Sequence, residues 1–493
     1  MRYTRCMPSC VDFRPALRAS NRLLAACVVG LGVIAAFGCS QRTEDTSATP
    51  PNLLLVTVDT LRPDELGCYG GEADVGEFLC SIGNGGTRFE WAFSTAPFTA
   101  PSIASVLTGI YPFAHGVRQS AASYLRSDVE TLPELLQRAG YTTAAFVSNP
   151  VLDRSRNLDQ GFGVFDQRMT RWERNRPGYA ERDARSATDA ALAWAQISAT
   201  PPWFLWVHFQ DPHGPYDPPG NPIGHDAAGG RRLQVLSSRN NSGDGGIPNY
   251  QALPGLFTVE AYRARYRDEI RYLDGQLKRL VEGVDGLGEP PLILLTSDHG
   301  EAFGEDDYYF AHGHSLAIEQ IRVPLLLRPS GVDATAAPEV SDTPVSLVDV
   351  APTLARAAGL DIPAHWPGQP LRAAGLAAGE LREERALFSE HSDRAAVVIG
   401  KRYFARDLRT AIAEAPDPKS GRRVRSLPAR TAALDEAGGV PRYTAVRPGG
   451  GDAVLEASLS EFLLRAQRSQ AGGEHDSVSS EMLERLRALG YSD

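Results

Sequence analysis

Leu53-Leu-Leu-Val-Thr-Val58 is a largely apolar run that ends in the carboxylate of Asp59. Four similar apolar runs follow along the chain, at 143–147, 203–207, 292–295 and 323–327. Continuous apolar runs of this length are typical of strands that are covered on both faces of a sheet. Helical patterns are interleaved with the runs and include 131–139, 259–283 and 346–358. This alternation of strands and helices predicts an α/β fold with a largely parallel sheet.

Ionisable side chains follow three of these runs. They are Asp59 after the first run, His208, Asp211 and His213 after the third, and Asp298 and His299 after the fourth. Taken singly, an Asp after a strand is usually a helix cap or a turn former. In open α/β sheets, however, ligands bind beyond the carboxyl ends of the strands. Carboxylate oxygens and imidazole nitrogens gathered there predict a site for a divalent metal ion.

The segment Phe98-Thr-Ala-Pro-Ser-Ile-Ala-Ser-Val-Leu-Thr-Gly109 has the pattern of a helix start, with Pro101 in its first turn. One interpretation is that the Thr99 hydroxyl only caps this helix. The other is that the hydroxyl lies among free N–H groups, where anions bind, and serves as a nucleophile beside a cation. The local pattern alone leaves both interpretations open.

The first residues have the pattern of an export signal. Five arginines precede the apolar run 23–37, which is short for a membrane span. Small residues then lead to Cys39, as in bacterial lipoprotein signals, although Ala36 stands where Leu is usual. We therefore predict a lipoprotein signal at 1–38 and a polar tether at 39–51. The alternative is an uncleaved N-terminal anchor helix, and either form would export the rest of the chain.

Export would place Cys68 and Cys80 in an oxidising compartment. The two residues are twelve positions apart and could form a disulfide. The alternative is a pair of reduced, buried thiols, and the sequence does not choose between them.

Composition excludes several classes of protein. The chain has 493 residues, of which 42% are hydrophobic and 22% charged, so it is neither globally disordered nor a coiled coil. The net charge is −10, and the first 38 residues are basic, so the remainder is more acidic still. A body of this charge argues against nucleic-acid binding. The irregular stretch 220–256 is expected to be a surface insertion that overhangs the site.

Several ordered motifs over 52–403 resemble the sulfatase branch of the alkaline phosphatase superfamily. They lie at 53–64, 99–112, 297–301 and 312–325, and the C-terminal stretch 486–491 is similar to a bacterial subgroup. The resemblance implies a mixed, mostly parallel sheet flanked by helices, with a smaller C-terminal antiparallel sheet packed by a helix. We accordingly expect a catalytic domain at 52–385 and a smaller subdomain at 386–493.

The resemblance also implies roles for individual residues. Asp59, Asp298 and His299 match metal ligands, and Thr99 matches the nucleophile. His213 and His314 fall where relatives place substrate or leaving-group residues. The ligand set would accept Ca, Mg, Mn or Zn.

This chain departs from the sulfatase pattern at four positions. Thr99 replaces the Cys or Ser that sulfatases convert to formylglycine, Thr60 replaces an Asp, Ile103 an Arg, and Asn149 a Lys. Because Thr has a single side-chain oxygen, its covalent ester must be attacked at the central atom. Phosphoryl esters of Thr turn over in this way in two-metal relatives, so we expect phosphoester or phosphonate chemistry in preference to sulfate esters.

The sequence thus predicts a metal-dependent hydrolase of sulfuric or phosphoric esters. Its substrate would be a small molecule or a glycan or lipid ester, and its place the bacterial cell envelope, lipid-anchored and facing the periplasm. Two alternatives stay open: a transferase that moves a phosphoryl group to an envelope acceptor, and a non-catalytic relative that binds an anionic glycan or lipid. The missing Arg, Lys and second Asp favour the last.

Overall fold

A computed structural model describes residues 50–471, with gaps at 121–122, 227–229, 238–239, 241, 333, 374–375, 377–384, 392–393, 408–428, 435–443 and 446–451. The predicted signal at 1–38 and all but the last two residues of the tether at 39–51 lie outside the described residues, as does the motif at 486–491. Within the described part, no helix is both long and apolar enough to cross a membrane.

The centre of the structure is a nine-stranded mixed sheet. Its strands are β1 (Leu53–Val58), β2 (Thr87–Phe93), β3 (Thr142–Val147), β4 (Val164–Asp166), β7 (Trp203–Phe209), β8 (Leu292–Ser297), β11 (Arg322–Arg328), β12 (Glu339–Ser341) and β13 (Val345–Ser346). The order is β12-β2-β11-β8-β1-β7-β3-β4, with β13 also beside β2. Strand β11 runs antiparallel to β8 and β2, and the remaining pairs are parallel. The mixed, mostly parallel sheet is therefore confirmed.

Four short strands of the described residues form two small ribbons apart from the central sheet. They are β5 (Arg171–Trp172), β6 (Ala180–Glu181), β9 (Ala302–Phe303) and β10 (Tyr309–Ala311). Each pair, β5 with β6 and β9 with β10, forms a small antiparallel ribbon.

The helices cover both faces of the central sheet, which has an apolar core on either side. They are α1 (Glu77–Ser81), α2 (Thr99–Thr108), α3 (Pro112–His115), α4 (Leu132–Arg138), α5 (Ala184–Ile197), α6 (Val259–Asp285), α7 (Ile318–Ile321) and α8 (Val350–Ala357). Side chains that point to opposite faces of β1, such as Leu54 and Leu55, enter different cores. This is why the strand is apolar at nearly every position.

A five-stranded antiparallel sheet follows the central domain, as the resemblance implies. Its strands are β14 (Ala386–His391), β15 (Arg394–Ile399), β16 (Arg402–Asp407), β17 (Arg430–Ala433) and β18 (Thr444–Ala445). Helix α9 (Ala453–Ala471) packs Leu455 and Leu459 against Val397 and Phe404 of this sheet. The domain boundaries at 385 and 386 stay predictions.

The structure chooses between the two alternatives for the cysteines: Cys68 and Cys80 form a disulfide. The bond closes a loop that contains most of the short helix α1. This helix packs on α6, where Asp274 accepts hydrogen bonds from the backbone N–H groups of Phe78 and Leu79 at 3.0 and 2.7 Å. The disulfide therefore secures the segment that leads from the site to β2.

Replacing Cys80 with Ser should destabilise the protein, because the unfolded chain regains the conformations that the closed loop excludes. We expect the free energy of unfolding to fall by about 3 kcal/mol, measured by urea denaturation under oxidising conditions. The control is the same comparison in reductant, where wild type and Cys80→Ser should coincide. Equal stability of the two proteins without reductant would contradict the prediction.

Candidate active site

Three parallel neighbours, β1, β7 and β8, deliver ionisable side chains to one edge of the sheet. Asp59 follows β1, Asp298 follows β8, and His208 lies inside β7 opposite Thr57. One carboxylate oxygen of each Asp and a ring nitrogen of His208 all lie within 4.8 Å of one another. The structure thus brings Asp59 and Asp298 together at the predicted edge and adds His208, which the sequence marks only as a residue that follows a strand.

One polar atom of each of these three side chains has no hydrogen-bond partner within the described residues. Asp59 Oδ1, Asp298 Oδ2 and His208 Nε2 are all buried, and none takes part in a hydrogen bond. Buried polar atoms are nearly always paired in folded proteins. A buried cluster with two carboxylate oxygens and an imidazole nitrogen that lack hydrogen-bond partners fits a divalent cation, which bonds to both types of atom.

Burial controls the protonation of the group. It raises the pKa of Asp59 to about 8, against the opposing hydrogen bond from Asn149. It raises the pKa of Asp298 to about 6, with a further contribution from the charge of Asp59, and lowers the pKa of His208 to about 4. A bound cation would lower the pKa of both carboxylates, because it stabilises their charged form. The neutral imidazole needs no such change, because it already offers a lone pair to a metal ion.

Neighbouring side chains fix the orientation of His208. The Thr57 hydroxyl lies 2.8 Å from His208 Nδ1 and accepts a hydrogen bond from Trp206 Nε1 at 2.9 Å. With Nδ1 engaged, Nε2 is directed to Asp59 Oδ2 at 3.6 Å. Outer partners of this kind set the ring plane of a metal-binding histidine.

Thr99 is the first residue of α2 and not its cap. Phe98 occupies the capping position, and no side chain caps the helix, so the interpretation of Thr99 as a cap alone is wrong. The Thr99 hydroxyl instead lies 3.3 Å from His299 Nε2. His299 Nδ1 is 2.9 Å from the Gly300 carbonyl, to which it must donate, so Nε2 carries the lone pair that faces the hydroxyl.

His299 lies between the hydroxyl and the carboxylates. Its Nε2 is 3.5 Å from Asp298 Oδ2 and 3.7 Å from Asp59 Oδ1. Burial lowers the pKa of His299 to about 4, which keeps the ring neutral. His299, which the resemblance implies is a metal ligand, therefore lies beside the metal group and contacts Thr99, the predicted nucleophile.

Two further histidines extend the cluster. The His312 ring lies 4.4 Å from that of His299, between ring centroids, and the His213 ring lies 5.3 Å from His312. His213 Nδ1 is 2.7 Å from the Gly214 carbonyl, which orients the ring. His314, the other predicted leaving-group residue, lies against Tyr308 at 4.5 Å between ring centroids. His312 was not among the predicted site residues; its sequence signal is the His-Gly-His arrangement that it forms with Gly313 and His314.

Gly313 explains why the two histidines diverge. Its φ is +84°, and a Cβ at this position would stand 2.1 Å from Cε1 of Phe98. Only glycine tolerates both the backbone conformation and this approach. The chain can therefore pass over Phe98, the residue before Thr99, and bring His312 against His299.

The positions that depart from the sulfatase pattern have other structural roles. Thr60 has a φ of +55°, which is unusual for a β-branched residue, and its N–H donates to Asp298 Oδ1 at 3.1 Å. Asn149 donates to Asp59 Oδ2 at 2.7 Å. Ile103 is buried in the apolar core that covers one face of the sheet. Two of the three replacements thus hold the carboxylates, and the third packs the core.

The family model described as sulfatase matches residues 51–360. An uncharacterised sulfatase of Escherichia coli K12 is 24% identical over 396 residues, which cover 69% of this chain and 74% of that protein.

Two solved structures share the fold. BT4656, in complex with its substrate D-glucosamine-2-N,6-O-disulfate, has a TM-score of 0.61 and 17% identity over 86% of this chain and 99% of its own. The phosphonate monoester hydrolase of Agrobacterium radiobacter has a TM-score of 0.59 and 19% identity over 85% of this chain and 95% of its own. Because the family match spans more than half of its length, the chain belongs to the sulfatase family.

Proposed function

We propose that the protein hydrolyses phosphoric-type esters, either phosphoesters or phosphonate esters, through a covalent intermediate on Thr99. Membership of the family makes it a hydrolase of sulfate or phosphate esters. The observation that carries the finer proposal is the position of the Thr99 hydroxyl, 3.3 Å from His299 Nε2 at the start of a helix and beside a candidate metal group.

The choice of central atom follows from the chemistry of the nucleophile. A formylglycine hydrate has two hydroxyl groups, one to attack sulfur and one to expel sulfate. Thr99 has one hydroxyl, so its ester is released only when water attacks the central atom. Phosphoryl esters permit that attack, and a sulfate ester of Thr has no comparable route. The phosphonate monoester hydrolase among the fold neighbours is compatible with this choice, although the likeness concerns the fold alone.

Asp59, His208 and Asp298 would hold the divalent ion. When bound, the ion supplies positive charge that favours the alkoxide form of a hydroxyl and polarises the ester oxygens. Asn149 and the Thr60 N–H each donate to one oxygen of a carboxylate, and the Thr57 hydroxyl contacts His208. These bonds keep the group in place before any substrate arrives.

His299 is assigned to the nucleophile in this proposal. Its Nε2 accepts the proton of Thr99 as Oγ forms the bond to phosphorus and the bond to the leaving oxygen breaks. The N-terminus of α2 carries partial positive charge from the helix dipole, which stabilises negative charge at this position. Water then attacks phosphorus and gives a proton to the histidine that protonated the leaving oxygen. The bond to Thr99 Oγ breaks, and the proton on His299 returns to the hydroxyl.

The leaving oxygen needs a proton, and His213 and His314 keep the role that the sequence predicts for them. Burial holds the pKa of His213 well below its usual value, with the His312 and Arg176 charges acting in the same direction. A substrate anion against the ring would raise that pKa, which suits a group that becomes an acid only when substrate is bound.

Removing the hydroxyl of Thr99 should abolish turnover. We expect Thr99→Ala to lower kcat at least 1,000-fold, on the order of other losses of a nucleophile, and Thr99→Ser to retain part of the activity. Thr108→Ala at the far end of the same helix is the matched control, since its hydroxyl bonds only to the Ala104 carbonyl. The measurement is hydrolysis of aryl phosphate, phosphonate and sulfate esters, with mass spectrometry of a quenched reaction to find the phosphorylated Thr99 peptide.

Full activity in Thr99→Ala would rule out this mechanism. Absence of turnover by wild type on every ester, with the ion bound, would instead favour the non-catalytic binding protein that the sequence leaves open.

His208 and His299 should differ in their importance for metal binding. We expect His208→Ala and Asp298→Asn to weaken binding of the ion at least 100-fold, since loss of a mere outer partner already costs about 10- to 100-fold. His299→Ala should keep the ion and lose turnover, and the exposed His365→Ala is the control. Metal content after dialysis and the Tm with and without chelator measure the effect. Loss of the ion in His299→Ala would restore the ligand role that the resemblance implies.

We also propose that the protein is exported and held at the bacterial membrane by a lipid on Cys39, where it would meet glycan or lipid esters. The support is the signal pattern at 1–38 and the tether at 39–51. Cys39→Ser should move the protein from the membrane fraction to the soluble periplasmic fraction in a bacterial host. An unchanged membrane fraction would point to the uncleaved anchor helix.

A further inference from the structure

We propose that Arg176 binds the anionic group of the substrate and supplies the positive charge that Ile103 and Asn149 no longer provide. The inference rests on the proposed ester chemistry and names the side chain that recognises the ester's charged oxygens.

Arg176 lies in the loop between β5 and β6, and this hairpin is fixed at both ends to the segments that carry the site. At its base, the N–H of Arg182 donates to the Ser148 carbonyl at 3.1 Å, next to Asn149. At its tip, Asn175 Nδ2 donates to the carbonyls of Tyr250 and Ala252 at 3.1 and 2.7 Å. The hairpin therefore spans from the end of β3 to the insertion at 220–256.

The guanidinium of Arg176 is held in one orientation. Its Nε and Nη2 donate to the two carboxylate oxygens of Glu173 at 2.6 and 2.5 Å. Its Cζ lies 4.0 Å from the ring centre of Tyr179 and 4.4 Å from that of Tyr250. A bidentate pair and two aromatic rings fix the plane of the group and remove much of its water, which strengthens its attraction for an anion.

Both aromatic rings lead directly to the site. The Tyr179 hydroxyl lies 3.2 Å from Asn149 Oδ1, and Asn149 in turn donates to Asp59. On the other side, the Tyr250 ring lies 6.3 Å from that of His213 and nearly parallel to it. Arg176 thus lies at the centre of a continuous series of contacts that begins at Asp59, a candidate metal ligand, and ends at His213, a candidate leaving-group residue.

The charge of Arg176 reaches residues on three sides of the site. The electrostatic field of its guanidinium reaches both Asp59 and His312. It also lowers the pKa of His213, after burial and the His312 charge. A cation with this field fits the tetrahedral anions that phosphate, phosphonate and sulfate esters share.

Glu173 is the feature that argues for a merely structural ion pair. Its side chain is fully buried, while that of Arg176 is 12% exposed. Of the two side chains only that of Arg176 reaches solvent, so an approaching anion meets the arginine and not the carboxylate of Glu173.

The test uses inorganic phosphate and sulfate as probes on the full chain loaded with metal, in the Thr99→Ala background so that turnover does not interfere. We expect Arg176→Gln to weaken phosphate binding by about 10- to 100-fold in calorimetric titration, the range of a charge-assisted hydrogen bond. Arg176→Lys should lose less phosphate affinity than Arg176→Gln, because it keeps the positive charge. Arg174→Gln, on the same hairpin but paired with Asp217 and half exposed, should bind as the parent does.

A second variant separates anion binding from folding. Glu173→Gln keeps the guanidinium and removes the carboxylate that competes with a ligand, so phosphate should bind more tightly, by roughly threefold. Weaker phosphate binding by Glu173→Gln, or binding by Arg176→Gln within twofold of Arg174→Gln, would overturn the assignment.

The two proposals fail in different ways. A wild-type protein that binds phosphate through Arg176 yet hydrolyses no ester would overturn the proposed function and leave this inference in place. An active esterase whose phosphate affinity is independent of residue 176 would overturn this inference alone.

Discussion

The mutual approach of two buried carboxylates is the constraint on which the site depends. Asp59 and Asp298 follow parallel neighbours in the sheet, so the register of β1 and β8 fixes their separation. Each carboxylate has one hydrogen-bonded oxygen and one without a hydrogen-bond partner among the described residues. The two unpartnered oxygens, Asp59 Oδ1 and Asp298 Oδ2, lie 3.7 and 3.5 Å from His299 Nε2. Two like charges in such surroundings are unfavourable without a cation. The fold therefore holds together a group that is stable in its charged form only when a cation is bound.

The surroundings of the carboxylates hold this arrangement through the main chain. Thr60 takes a left-handed backbone conformation, and this places its N–H on Asp298 Oδ1. Its carbonyl accepts a hydrogen bond from the Tyr266 hydroxyl at 2.7 Å, which ties the turn to helix α6. Strained backbone of this kind persists only where neighbouring contacts determine it, and such positions are common at functional sites. A residue that departs from the sulfatase pattern thus contributes through its backbone what its side chain does not.

The sequence predicted those parts of the site that strand ends and family motifs reveal. Continuous apolar runs located five strands to within two residues at each end, because these strands are apolar on both faces. They are β1, β3, β7, β8 and β11. Strand β2 was not predicted, because Arg88 and Glu90 interrupt its apolar run. In the structure these charged residues have partners: Arg88 stacks on Tyr69, and Glu90 pairs with Arg322. The sequence places His208 after the third apolar run, whereas it lies inside β7. Only the pairing of β7 with β1 shows that its ring nitrogen reaches Asp59.

Arg176 shows a different limit of sequence reasoning. The segment around it has no apolar periodicity, and the family motifs do not include it. Its position depends on contacts between distant segments: the base of the hairpin with β3 and its tip with the insertion. Loss of positive charge at two motif positions therefore did not imply an uncharged site, because charge can be supplied from any segment that the fold brings near. An anion-binding site of this kind is a property of the assembled surface, whereas the metal group follows from the order of the strands.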